Sequence, residues 1–585
     1  MVFAFTSKTF GARFVKKSKN YCALKAIYMK RYLTAVVLSL AILSGYAQST
    51  ERNLESAKQL NTLAEIYREL ELYFVDTLDT SKLFKETIGY MLYQLDPYTT
   101  YFTAKEAEEF RQHSAGKYAG IGAVISFHKE KKRSIISQPY AGMPAAKAGL
   151  RRGDVIMAID GQEMRTAELS EVAHYNDSVS NCLRGEPGTS FRLSVQRAGE
   201  PELLHFDIVR ATIALPSVVY SLCTVDSIGY VHVSGYTEHT ARDLRETLQS
   251  LQQQGMRSLV LDLRGNGGGL ISEAVEMLSL FLPRGKEVVS LRGKTPKGNR
   301  VYRTGQNPIF EKLPLVVLVD GQSASAAEIT AGTLQDYDRA VIMGQNTYGK
   351  GLVQTTIKLP GEALLKYTES KYYIPSGRCV QAYKYDEGEP KILPDSLAKT
   401  YYTRGGRPVR DCGGIRPDIV LPEDSLPNLL IYLNNSNLID DFVAEYRAKH
   451  PVIAPAQEFR LSADEYDEFI AFLKAGNFTY DQQSVKALQV LRKMAEFEGY
   501  GEASKAEFEA LEAKLMHNED YDYRHWEKEI RQVIEMAIVQ DHYFSQGANA
   551  YLFQRDQEIR QAFDLLKDEA KYNDLLRPAD KSKGK

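Results

Sequence analysis

Three short segments of this 585-residue chain carry residue types that could break an acyl bond. The first is Leu263-Arg264-Gly265-Asn266-Gly267-Gly268-Gly269, a glycine turn at the end of an apolar run. Glycines there let backbone N–H groups point at a ligand with no Cβ in the way. The second is Val319-Asp320-Gly321-Gln322-Ser323-Ala324-Ser325-Ala326-Ala327-Glu328-Ile329, where a strand-like run gives way to small residues and a helix-like run. The third is Gly344-Gln345-Asn346-Thr347-Tyr348-Gly349-Lys350-Gly351, continuing as an alternating stretch through Gln354 to Leu359.

Ser325 has two readings. Ser325 to Glu328 fits the S-x-x-E capping box, which explains the serine as a helix cap. Alternatively Ser325 is a nucleophile at a helix N-terminus, where free amides, including that of Ala326, can hold a developing oxyanion. The third segment favours the second reading. Strand alternation places the side chains of Lys350 and Gln354 on one face, and a lysine between glycines has room to lie buried beside the serine. Ser–Lys pairs are a known variant of nucleophilic hydrolase chemistry. Such a lysine must titrate near 7 to 8 instead of about 10.4, a differential of about 4 kcal/mol that apolar burial can supply.

These three motifs, in this order and spacing, resemble the carboxyl-terminal processing peptidases, or tail-specific serine proteases, over residues 53 to 424. The resemblance implies Ser325 as nucleophile, Lys350 as general base and Gln354 as the residue orienting it. It also implies an oxyanion hole made by the Ala326 amide with a glycine amide of the 267–269 turn, Gly267 and Gly268 being the candidates. Ala327 stands where many members have a third serine. The same family carries a PDZ domain. Gly120-Ile121-Gly122-Ala123-Val124 is similar to its carboxylate-binding loop and edge strand, and Gly142 to Ile156 with Ile159-Asp160-Gly161 is similar to its short helix, turn and strand. Adjacent backbone amides of such a loop capture a terminal carboxylate while the peptide adds a strand beside the edge.

The elements that must position these residues can be read from periodicity. Leu60, Leu63, Ile66 and Leu70 recur at helical spacing, and Leu95-Asp96-Pro97 stops a second helix. After Gly116 short alternating strands take over, among them Phe191-Leu193-Val195 and Leu204-Phe206-Ile208. From 213 to 424, strand-like runs at 258–263, 315–319 and 340–343 alternate with helix-like ones, which argues for a mostly parallel sheet. In such sheets ligands bind beyond the carboxyl ends of the strands, where all three motifs fall. Residues 383–410 are polar and punctuated by Pro and Gly, as in a surface insertion. The tail is helical, with apolar stripes at Trp526, Ile530, Val533, Ile534, Ala537 and at Ile559, Ala562, Phe563, Leu566.

The expected fold is therefore multidomain α+β: an α/β serine-protease core with an inserted PDZ-like β module, N-terminal helices and a C-terminal helical domain. The expected boundaries are 1–47 leader and signal peptide, 48–113 helical segment, 114–212 PDZ domain, 213–424 Ser-Lys protease core and 425–585 helical domain.

Charge sharpens the function class. Lys plus Arg number 73 against 75 Asp plus Glu, a net charge of −2 that excludes a strongly basic nucleic-acid binder. All eight charges before residue 48 are positive. Lys30-Arg31 precedes an apolar run to Leu43, and Gly45-Tyr46-Ala47 offers small residues for cleavage, which reads as a secretory signal with Gln48 the first mature residue and Met29 the effective start. The run falls short of the roughly 20 residues of a membrane span. The expected location is outside the cytoplasm, in a bacterial periplasm or cell envelope. Five Cys form no C-x-x-C pair and ten His no H-E-x-x-H, so no metal or cofactor is expected. Cys379 and Cys412 are either free thiols or one bridge.

The expected activity is an endopeptidase acting on protein or peptide substrates with free apolar C-termini. The C-terminal helices would serve a homodimer or an adaptor. Two other readings compete. Gly344 to Lys350 is also G-x-x-x-x-G-K, but Gly351 replaces the Ser/Thr that holds Mg²⁺ and a strand follows instead of a helix, which disfavours a nucleotide-binding ATPase. A catalytically inactive PDZ scaffold would keep the motifs without the reaction. Ser325 also stands where the G-x-S-x-G elbow needs glycine, and two S-x-x-K matches lack their S-D-N and K-T-G partners.

Overall fold

The computed structural model describes residues 54–114, 117–422, 426–515 and 518–577; the expected leader and Cys22 lie outside them. The chain divides into a unit of residues 1–90 and one of residues 91–585. In the first, residues 54–73 are helical and a second helix, Thr80–Tyr93, begins. Tyr67 closes the turn between them, its hydroxyl donating to the Thr80 carbonyl and its ring meeting Phe84 edge-on.

The second unit is built around a six-stranded sheet. Its strands run Val218–Cys223, Ile228–Val233, Ser258–Asp262, Leu315–Val319, Val341–Gly344 and Ile419–Val420 in spatial order. The first pair is antiparallel and the rest parallel. Strands such as Leu315-Val316-Val317-Leu318-Val319 are apolar at every position because both faces are covered. On one face the helices Thr240–Gln253, Ile271–Leu278 and Ala326–Asp336 supply a core that includes Leu244, Leu248, Val275 and Ile329. Parallel register pairs Asp262 with Leu318 and Val319 with Gly344, so the carboxyl ends of three neighbouring strands lie level at one rim. The three motif loops leave from that rim.

The other face is covered from the far end of the chain. Helices Gln557–Lys567 and Glu569–Leu575 lay Ile559, Ala562, Leu565, Leu566 and Tyr572 against Tyr230, Val260, Val316, Leu318 and Met343. These two helices lie in the expected helical segment 425–585 and pack on the sheet of the core. Residues 428–553 build their own core, with Phe442, Tyr466, Phe469, Ile534 and Ile538 buried together, and the last two helices return to the sheet.

Two further sheets and three two-stranded ribbons belong to the unit among the described residues. Four strands from residues 287–373 and Thr100–Phe102 form a five-stranded antiparallel sheet in which Leu352–Lys358, just after Lys350, pairs with Leu364–Tyr373. The β module carries the sheet formed by Ala123–His128, Arg133–Pro139, Val155–Ile159, Ser190–Gln196 and Leu204–Val209, with the helix Val172–Leu183 packed against it. Its entry and exit strands, Lys117–Gly120 and Ala211–Ala214, pair with each other, so the module is inserted through one two-stranded ribbon. It leans on the helix Leu438–Lys449 through Arg152 to Asp440 at 3.1 Å and His128 to Asp441 at 2.9 Å. Cys379 and Cys412 are free thiols, their backbones joined by one hydrogen bond of 3.3 Å. Among the described residues no helix is long and apolar enough to cross a membrane.

Candidate active site

Ser325 sits where the Leu315–Val319 strand has turned into the helix Ala326–Asp336, at φ 54 and ψ −112. A β-carbon-bearing residue held at positive φ is strained, and such strain persists only where surrounding contacts over-determine it. Those contacts are present. The other serine of the block, Ser323, is fully buried and its hydroxyl donates to Leu263 O at 2.8 Å. Ser325 is partly exposed, and its hydroxyl makes no cap hydrogen bond of good geometry.

Glu328 does far more than cap. Its carboxylate is completely buried and accepts four hydrogen bonds. One oxygen takes the amides of Ser325 at 2.8 Å and Lys350 at 2.9 Å; the other takes the Thr347 hydroxyl at 2.6 Å and the Gly349 amide at 2.8 Å. The backbones of the nucleophile candidate and the base candidate are therefore tied to one oxygen atom. Burial pushes this carboxyl above its ordinary value, and the four donors pull it back part of the way. The S-x-x-E pattern pointed to the link with Ser325 but not to the links with residues 347–350, since nothing local requires them.

The glycine turn is held by two side chains that periodicity does not single out. Asp320 accepts the Gly265 amide at 2.9 Å, and buried Asn266 donates to Val233 O at 2.8 Å while accepting the Gly268 amide at 2.9 Å. The N–H of Gly268, one of the two glycines expected to serve an oxyanion, is thus engaged by Asn266, whereas that of Gly267 is not. Its contribution is proximity. A Cβ on Gly268 would lie 2.8 Å from Ser325 Cβ and 2.9 Å from the Ala326 nitrogen, so only glycine lets the turn abut the helix start. The amides of Ala326 and Gly267 have no partner among the described residues, and Gly267 is exposed.

Lys350 precedes its strand and is partly buried. Burial and the nearby Lys366 lower its pKa below that of an ordinary lysine, against the opposing pull of Glu328 and Asp96. Its ammonium lies 4.3 Å from the centre of the Tyr98 ring. No hydrogen bond joins it to Ser325, and none joins it to Gln354, whose amide donates to Thr368 Oγ1 at 3.1 Å. Catalytic hydrogen bonds are often long in the free enzyme and tighten when substrate binds. The 383–410 insertion is part of this surround: the Tyr385 hydroxyl donates to that of Tyr98 at 3.1 Å, and Tyr383 packs against Tyr348 with ring centres 5.4 Å apart. Polar composition alone marked the segment as surface and concealed its tyrosine contacts.

In the β module, Gly120, Ile121 and Gly122 lie buried ahead of Ala123–His128, the edge strand of its sheet. The amides of Ile121 and Gly122 have no partner among the described residues. Gly122 has φ 69, and a Cβ there would meet Met143 Cβ at 2.4 Å. Val124 is exposed on this strand and Ala123 half-buried.

Comparison with known proteins agrees with this organisation. Peptidase family S41 matches residues 227–397, PDZ domain residues 135–197, and "Probable PDZ-protease, C-terminal helical domain" residues 429–566. The carboxy-terminal-processing protease of Bartonella bacilliformis is 34% identical over 60% of this chain and 79% of its own length. A Staphylococcus aureus protein described as a probable CtpA-like serine protease is 31% identical over 61% of this chain and 72% of its own. The solved photosystem II D1 C-terminal processing protease aligns with 62% of this chain and 93% of its own at 27% identity, with a TM-score of 0.34. The chain belongs to the carboxy-terminal-processing protease family, as a serine peptidase that carries a PDZ domain.

Proposed function

We propose that this peptidase is exported, binds the free apolar C-terminal tail of a protein substrate on its PDZ domain, and cuts upstream of it through a Ser325–Lys350 dyad. The observation that carries the reading is the buried Glu328 carboxylate, which gathers the backbones of Ser325 and Lys350 at the mouth of a helix N-terminus. A structural cap alone needs no second loop.

The chemistry follows. Neutral Lys350 Nζ accepts the Ser325 hydroxyl proton as Oγ attacks the scissile carbonyl carbon. The carbonyl oxygen gains negative charge and takes the amides of Ala326 and Gly267; each such donor is worth about 2.7 to 4 kcal/mol of barrier. The lysine proton passes to the leaving amine nitrogen, the C–N bond breaks and an acyl ester remains on Ser325. Water then attacks the ester, giving its proton to Lys350, and Ser325 leaves with that proton restored. The lowered pKa of Lys350 favours the first step by increasing the fraction of neutral amine. Gln354 is assigned to orient Lys350 once substrate displaces the ammonium from Tyr98. At the PDZ loop, the amides of Ile121 and Gly122 would receive the tail carboxylate while the tail pairs with Ala123 and Val124.

The test compares one substrate with a free and an amidated C-terminus, in wild type, Ser325→Ala and Lys350→Ala. The proposal expects the free tail to be cut faster and both variants to be inactive. Equal cutting of the two tails defeats tail recognition, and wild-type rates in either variant defeat the dyad.

A further inference from the structure

One ionic cluster outside the dyad joins chain segments that are remote in sequence. Arg264 stands at the head of the glycine turn and pairs with Asp262, which ends its strand, at 2.6 Å. Burial works against the charge of Arg264, but Asp262 and Asp556 raise its pKa. Its guanidinium also reaches the start of the helix Gln557–Lys567, meeting Asp556 at 2.8 Å and Glu558 at 2.6 Å. The second oxygen of Glu558 accepts from Gln345 Nε2 at 2.7 Å. Gln345 lies in the loop that leads to Lys350. Asp556 has a local duty, accepting the Ile559 amide at 3.0 Å as the N-cap of its helix. Both oxygens of Glu558 are instead spent on the two motif loops.

We propose that Glu558 is a positioning residue of the peptidase, fixing the spacing between the oxyanion turn and the Lys350 loop from beneath. The inference rests on the Ser325–Lys350 reading above. The helix is already held to the sheet by Ile559, Ala562, Leu565 and Leu566, so the ionic cluster is not required for adhesion. Partly buried ion pairs contribute little net stability, and their best-attested use is to fix a register. Removing Glu558 leaves Arg264 paired with Asp262 and Asp556 and abandons no charge. What disappears is the bridge from one loop to the other.

The experiment uses the full chain as wild type, Glu558→Ala, Glu558→Gln, Leu566→Ala, Lys567→Ala and Ser325→Ala. For each, kcat and KM on a free-tailed peptide, the rate of acylation by a serine-directed phosphonate, and the thermal unfolding midpoint are measured. Glu558→Ala is expected to lower kcat and the acylation rate about 10- to 100-fold, as a loop misplaced by about 1 Å would, with KM and the midpoint little changed. Glu558→Gln keeps an acceptor for Gln345 but not the charge for Arg264, and should fall between. Lys567→Ala, on the same helix as Glu558, removes an exposed pair to Asp226 and should match wild type. A Glu558→Ala kcat within twofold of wild type overturns the proposal. So does an equal loss of kcat in Leu566→Ala when temperatures are matched to the same distance below each midpoint, since Glu558 would then act through stability alone. Retained turnover in Ser325→Ala defeats the dyad reading instead, whatever Glu558 does.

Discussion

Replacing Glu328 by Gln changes no volume and creates no cavity, yet should damage both stability and activity. A carboxylate presents acceptors at both oxygens, and here both face donors: Ser325 N and Lys350 N on one, Thr347 Oγ1 and Gly349 N on the other. A carboxamide keeps one acceptor and turns the other into an NH₂ group. If the NH₂ faces residues 325 and 350, two backbone amides lose their acceptor. If it is flipped, the Thr347 hydroxyl must accept from it while already accepting the Ile415 amide at 2.6 Å, and the Gly349 amide is orphaned. One or two buried donors thus go unsatisfied at about 1–3 kcal/mol each, which gives an expected loss of about 1–6 kcal/mol. Because the displaced groups carry Ser325 and Lys350, kcat/KM should fall about 100-fold, the scale of a 1 Å misplacement. Urea unfolding gives the first quantity and peptide hydrolysis under native conditions the second. Wild-type stability would refute the hydrogen-bond accounting. Reduced stability with wild-type kcat/KM would show that Glu328 braces the fold without positioning the dyad.

Further expectations concern the dyad, the glycine turn and the tail site. In the proposed mechanism Lys350 must be neutral to accept a proton, and its pKa is lowered, so kcat/KM should rise with pH and level off below the pH where a free lysine, near 10.4, titrates. The Tyr98 ring favours the ammonium by about 0.5–2 kcal/mol; Tyr98→Leu should move the rising limb of the pH–rate profile about one pH unit lower, whereas Tyr98→Phe should leave it in place. Superimposable profiles for all three proteins would remove the ring from the account. Gly268→Ala puts a Cβ 2.7 Å from Ala324 O at φ +95, and should lower kcat/KM at least about tenfold with a loss of about 1–3 kcal/mol in stability; circular dichroism melting and peptide assays check both. Gly122→Ala drives a Cβ into Met143, so KM for a free-tailed substrate should rise about tenfold, equivalent to 1.4 kcal/mol, with kcat preserved.

The sequence revealed most where a local pattern has one physical solution. Runs such as Leu315-Val316-Val317-Leu318-Val319, apolar at every position, could only be strands covered on both faces, and the motifs after them had to share a rim. It revealed less where a residue's local role was already sufficient. Glu328 satisfied a capping box, so its bonds to Thr347, Gly349 and Lys350 had no separate signature. Gly267 and Gly268 could not be told apart, because which amide is free depends on where the Asn266 side chain turns. The stripe Ile559, Ala562, Phe563, Leu566 announced a buried face without saying what buries it. The antiparallel sheet of Thr100–Phe102 and residues 287–373 was missed because its strands are partly exposed and interrupted by turns.

That the sheet beneath Ser325 is closed by helices 557–575 also sets a timetable. As the chain is synthesised, the strands ending in Asp262, Val319 and Gly344 appear long before the helices that cover their second face. Until then Tyr230, Val260, Val316 and Leu318 lack their apolar cover, and Arg264 lacks two of its three carboxylate partners. A half-made chain thus lacks both the apolar cover and the ionic bridge of the finished rim. The same dependence makes the end of the chain a fuse: a clip before residue 557 removes neither Ser325 nor Lys350, yet takes away the helices that cover the second face of the sheet from which their loops leave.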